Sequence, residues 1–83
     1  MNRTEVLEAI RTAAVEILQV EPDQVTESAA FSDDLDADSL DVVELVMALE
    51  DTLGIAVPEE DLEEVRTVGD ALDVIVAKLA VKA

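Results

Sequence analysis

The chain has 83 residues, room for one small domain over residues 1–83 whose core must be economical. It has no cysteine and no histidine, which excludes disulfides, thiolate metal centres, cysteine nucleophiles and an ordinary serine–histidine–acid triad. With 21 acids against 5 bases the formal net charge is −16, so nucleic acid and anionic membranes are repelled and protein partners should present basic patches. The residues are nonetheless 51% hydrophobic and recur at helical spacing, which argues for a folded domain rather than a disordered acidic tail. No basic N-terminal region leads into an apolar run, and no run approaches the ~18 residues of a membrane span. The expectation is a monomeric, cytoplasmic protein.

From Arg3 to Gln19 the pattern predicts an amphipathic helix. Val6, Ile10, Ala13, Ala14, Ile17 and Leu18 fall on one side, with Glu5, Glu8, Arg11, Thr12 and Glu16 on the other. Asn2 and Glu5 have the spacing of a capping box. Val20 to Asp38 then reads as a long loop, in which Val25 and Phe31, the only aromatic residue, are the expected anchors into the core.

A second helix begins near Ser39 and runs to Leu53. At 100° per residue Val42, Leu45, Val46, Leu49 and Leu53 share a face that should be buried. Asp41, Glu44, Ala48 and Asp51 form the opposite, acidic stripe. Leu40 and Met47 lie beside that stripe, where the core pattern does not require them. Spacing leaves two readings open: they are anchors for a docking partner, or they pack against the long loop. Gly54 offers a helix stop. Ile55-Ala56-Val57 is an extended link, and Pro58 is expected as the first residue of a short helix reaching Val65 with two apolar anchors. Thr67 and Asp70 have capping-box spacing ahead of a last helix that buries Val68, Leu72, Ile75 and Leu79. The architecture is all-α, a small four-helix bundle of three main helices and one short one.

All but five of the acids lie between Glu21 and Glu64, a stretch without lysine or arginine; the bases are Arg3, Arg11, Arg66, Lys78 and Lys82. Asp34, Asp36 and Asp38 alternate as in a calcium loop, but the positions that would need glycine and glutamate hold Ser39 and Leu45, so no specific metal site is expected. Ser39 is the one polar side chain here with obvious chemical potential. Either it caps the second helix, or it is a covalent attachment point on a helix that partners recognise.

The run Asp38-Ser39-Leu40-Asp41-Val42-Val43-Glu44-Leu45-Val46-Met47-Ala48-Leu49-Glu50 resembles the modification site and second helix of acyl carrier proteins. The resemblance continues through Gly54-Ile55-Ala56-Val57-Pro58 and Thr67-Val68-Gly69-Asp70-Ala71, and covers most of the chain. It implies a non-catalytic carrier in which Ser39 receives 4′-phosphopantetheine from coenzyme A through a separate, Mg²⁺-dependent phosphopantetheinyl transferase. The arm's terminal thiol would hold acyl groups as thioesters, sheltered between the helices. It also implies that Asp38 meets the transferase and that Asp41, Glu44, Glu50 and Asp51 face basic patches on acyl transferases and synthase enzymes, with Leu40 and Met47 as apolar contacts. The length and acidity resemble the free-standing carriers of type II fatty acid synthesis. Carriers of dissociated polyketide pathways are the alternative, and an unmodified acidic adaptor is the reading from a different class.

Overall fold

The structure, a computed structural model, describes residues 2–82, the side chains of 81 and 82 excepted. The side chain of Lys82, one of the terminal bases, therefore lies outside the described residues. Helix α1 spans Arg3–Leu18 and starts where the sequence places its cap. The Asn2 side chain accepts the Glu5 N–H at 2.8 Å, and the Glu5 carboxylate accepts the Asn2 N–H at 3.1 Å. Two donors that the first turn leaves unpaired are thereby satisfied. Gln19 lies outside the helix, in the left-handed region at φ 56°, and turns the chain into the loop. Val6, Ile10 and Ala14 are buried, and Ala13, Ile17 and Leu18 pack at the margin of the same core.

The long loop is tied down along its length. Pro22–Gln24 forms a single 3₁₀ turn, and Val25 and Phe31 are buried as expected. Ala29, Leu35 and Ala37 are buried as well, so the loop supplies a substantial part of the core. Arg11 holds it from α1 by donating to the Val25 carbonyl from Nη2 at 2.9 Å and from Nε at 3.3 Å. Residues 27–31 also run antiparallel to 66–69. The Phe31 N–H donates to the Arg66 carbonyl at 3.0 Å, the Val68 N–H to Ala29 at 2.9 Å, and the Gly69 N–H to Glu27 at 2.8 Å. An isolated bridge, Ala30 to Thr67, marks the centre of this contact, and there is no strand among the described residues. Gly69 is required by the close approach, since a Cβ there would stand 2.8 Å from the Glu27 carbonyl oxygen.

Helix α2, Ser39–Leu53, buries Leu45, Val46 and Leu49, and ends at Gly54 in the left-handed conformation, φ 66°. Val42 and Leu53 are half-buried rather than fully enclosed. The short helix α3 is Glu59–Leu62, less than the sequence pattern suggested at both ends. Pro58 is its N-cap, with ψ 148°, and residues 63–64 form a turn. Two apolar anchors do not hold a second turn, and acids at 63 and 64 oppose the dipole at the C-terminal end. No residue of α3 is buried; Leu62 and Val65 are half-covered, and Asp61 reaches Lys78 at 2.9 Å.

Helix α4, Val68–Lys82, is capped as expected. Thr67 Oγ1 accepts the Asp70 N–H, and the Asp70 carboxylate accepts the N–H groups of Thr67 and Arg66, all at 3.1 Å. Val68, Ala71, Leu72 and Ile75 are buried, with Leu79 at the margin. Helix α1 packs on both α2 and α4, while α3 faces α2 across a cleft and is tied to α4 by the Asp61–Lys78 ion pair. Among the described residues no helix is long and apolar enough to cross a membrane.

Candidate functional site

The alternating aspartates before α2 each have a backbone task. The Asp34 carboxylate accepts the Ala30 N–H at 2.7 Å, closing a turn. Asp36 takes the left-handed conformation, φ 54°, which aspartate tolerates better than most side chains. Asp38 is the N-cap of α2: its Oδ1 accepts the Asp41 N–H at 2.9 Å, and the Asp41 carboxylate accepts the Asp38 N–H at 3.2 Å. Two of the three carboxylates that suggest a calcium loop are thus spent on the chain's own amides. Among the described residues no group of three or more acids is arranged to hold a metal ion.

Asp38 therefore does what Ser39 was a candidate to do. Ser39 is the first residue of α2, exposed, and its hydroxyl has no hydrogen-bond partner among the described residues. It stands where two clefts meet. One, about 290 Å³, lies between α2 and α3 and is walled by Val42, Val43, Leu62 and Val65 with Glu59 and Glu63 at its edge. The other, about 410 Å³, runs toward the loop past Phe31, Asp33, Asp38 and Arg66. Both share Ser39, Val42 and Val65. Val43 and Arg66 were not singled out by sequence as site residues; the one signal was that Arg66 is the first base after the acidic run.

The outer face of α2 resolves the ambiguity over its apolar residues. Leu40 is 65% exposed and Met47 58% exposed, so neither is used to pack the loop. Glu44 and Asp51 are exposed beside them, and Asp41 is half-buried in its capping box. Glu50 is placed differently from the others: its Oε2 accepts the Val57 N–H at 2.9 Å and fastens the end of α2 to the following link. Among the described residues no acid of α2 has a cationic partner. Three of the bases are spent elsewhere, Arg3 on Glu27 and Asp73, Arg11 on Glu8, and Lys78 on Asp61.

A family model described as a phosphopantetheine attachment site matches residues 8–75, from the second turn of α1 to the middle of α4. The chain belongs to the acyl carrier protein family. It is 46% identical over 80 residues to the acyl carrier protein of Thermosynechococcus vestitus, covering 96% of this chain and 99% of that one. It is 52% identical over 68 residues to that of Zymomonas mobilis, covering 82% and 87%. The solved structure of an acyl carrier protein from Enterococcus faecalis superposes with a TM-score of 0.74 at 42% identity, covering 94% and 99% of the two chains. Members of this family are carriers rather than catalysts, and membership assigns a covalently attached 4′-phosphopantetheine to this chain. The four-helix architecture expected from the pattern of apolar residues is the architecture of the family.

Proposed function

We propose that Ser39 carries the 4′-phosphopantetheine and that this carrier shuttles acyl groups between the separate enzymes of type II fatty acid biosynthesis. The observation that supports Ser39 most directly is the division of roles at the start of α2. Asp38 satisfies the helix amide, so the adjacent hydroxyl is exposed, unpartnered and free to be esterified without loss of a cap. When bound, the arm supplies a terminal thiol for thioester formation, chemistry that a chain without cysteine cannot provide itself.

The protein's own residues provide shelter and address. An acyl chain entering the α2–α3 cleft would exchange water for Val42, Val43, Leu62 and Val65, a gain of about 0.8 kcal/mol per buried methylene. Helix α3 is held by two half-buried side chains and one ion pair, so it can yield to longer cargo. Asp38, Asp41, Glu44 and Asp51, with Glu50 at the margin, form a field that steers basic patches of the phosphopantetheinyl transferase and of acyl transferases onto Leu40 and Met47.

The test is an intact mass before and after incubation with coenzyme A, Mg²⁺ and a broad-specificity phosphopantetheinyl transferase. One phosphopantetheine is expected, located on Ser39 by fragmentation, and none on Ser39→Ala. A folded, unmodified protein that takes up no arm would leave the acidic adaptor. The pathway is tested by offering the loaded protein to dissociated fatty acid synthase enzymes. Acceptance only by polyketide enzymes would move it to the alternative.

A further inference from the structure

Arg3, Arg11 and Lys78 are each committed to a carboxylate. Arg66 is the one base with a described side chain that makes no ion pair among the described residues, although the Asp70 carboxylate lies close enough to feel its charge. Its backbone, by contrast, is held on both sides. The N–H donates to the Asp70 carboxylate at 3.1 Å, and the carbonyl accepts the Phe31 N–H at 3.0 Å. Arg66, exposed to solvent, therefore stands at a fixed point in the wall of the loop-side groove, which it shares with Ser39. Among the described residues Arg66 is also the only cation lining either cleft onto which Ser39 opens. Asp33 and Asp38 stand in the same wall, and it forms an ion pair with neither.

We infer that Arg66 is the counter-charge for the phosphodiester linking phosphopantetheine to Ser39, an inference that rests on the Ser39 reading above. A phosphodiester keeps one negative charge at neutral pH, and at Ser39 it joins a surface whose α2 acids have no cationic partner among the described residues. A guanidinium answers that charge with a planar fork of donors matched to two phosphate oxygens, and it sheds water more readily than an ammonium. The pairing lays the phosphate end of the arm on the loop side, against Phe31 and Ala37, and leaves the α2–α3 cleft free for cargo. Arg66 is thus a positioning residue for the arm.

The experiment compares ¹³C,¹⁵N-labelled apo and holo protein by NMR, with an intact mass taken on each sample. On conversion to the holo form the Arg66 Nε–H resonance should shift and exchange with water several-fold more slowly, while those of Arg3 and Arg11 stay in place. In holo Arg66→Gln the ³¹P resonance should move to that of a short phosphopantetheinylated peptide, with Arg66→Lys in between. Both side chains keep the backbone bonds of residue 66, and an unchanged amide spectrum elsewhere establishes that the fold is intact. An Arg66 signal identical in apo and holo protein, with the arm confirmed on Ser39 by mass, overturns the inference. A mass showing no arm on Ser39 overturns the reading beneath it, and this one with it.

Discussion

Replacing Asp38 and Ser39 by alanine, one at a time, separates a structural role from a chemical one at adjacent residues. Asp38→Ala removes the acceptor that holds the Asp41 N–H at 2.9 Å and frees the reciprocal bond to the Asp38 N–H. Loss of an N-cap costs about 1 kcal/mol, within a range of roughly 0.5–2. Removing one charge from a protein of net −16 returns roughly 0.2–0.5 kcal/mol, the scale of a like-charge pair on a helix surface. The cap therefore wins. At ~4–8 °C per kcal/mol for a domain of this size, the melting temperature should fall by several degrees. Ser39→Ala deletes a hydroxyl without a partner and installs the best helix former at the first helical position, so its stability should stay within about 0.5 kcal/mol of the parent. Thermal melts followed by circular dichroism and an intact mass after transferase treatment read both properties on the same samples. Asp38→Ala should melt early and accept the arm more slowly, because a transferase-facing charge goes with the cap, and Ser39→Ala should melt like the parent and accept none. If Ser39→Ala melted as early as Asp38→Ala, the hydroxyl would be structural and the division of roles would be wrong.

Gly69→Ala places a Cβ 2.8 Å from the Glu27 carbonyl oxygen, a backbone atom pinned by its own hydrogen bond; overpacking of ~1–3 kcal/mol should exceed the ~1 kcal/mol gained in helix propensity, and an equal or higher melting temperature would show that the loop yields. The N–H groups of Arg66 and then Thr67 hold the Asp70 carboxyl below its ordinary pKa of 3.8, so its contribution is complete above that value and is lost as pH falls through the lower folded-state value. Asp70→Ala should accordingly be about 1 kcal/mol less stable than the parent at pH 7, with the gap closing below pH 3.8 in urea titrations; a gap constant across that window would contradict the assignment. Millimolar Mg²⁺ or Ca²⁺ should raise the melting temperature gradually at fixed ionic strength, since the repulsion is diffuse and no built site is present among the described residues, whereas saturation at one equivalent would reveal such a site and an unchanged melt would remove the role of repulsion.

What the sequence disclosed and what it withheld divide along the range of the interactions. The caps at Asn2 with Glu5 and at Thr67 with Asp70, and the stop at Gly54, involve partners within four residues, and each is where the local pattern puts it. The buried faces of α1, α2 and α4 follow from the 3.6-residue period for the same reason. The contact of 27–31 with 66–69 joins segments some forty residues apart, with too little alternation to announce a strand, so neither it nor the need for glycine at 69 was legible. Ala29, Leu35 and Ala37 escaped notice because they are buried by the loop folding onto the core rather than by a periodic face. At the site, Ser39 and the exposed pair Leu40 and Met47 could be singled out, but the choice of Asp38 over Ser39 as the cap required coordinates.

On the Ser39 reading, that choice gives the order Asp-Ser a meaning that neither residue has alone. Aspartate and serine are both good N-caps, so either could occupy the capping position of α2. With serine there, the hydroxyl would be engaged with an amide of the first turn, and esterifying it would cost the helix its cap. The carboxylate, moved one residue into the helix, would then stand beside any anion brought to the serine. With aspartate at 38 the fixed negative charge is spent on the Asp41 amide, and the serine follows at the first helical position. There a phosphate would lie near the positive end of the α2 dipole, which favours an anion by about 0.3–1 kcal/mol and partly offsets the surrounding acids. On the Ser39 reading, giving the two tasks to neighbouring residues keeps the start of the helix intact while a long charged arm is attached beside it.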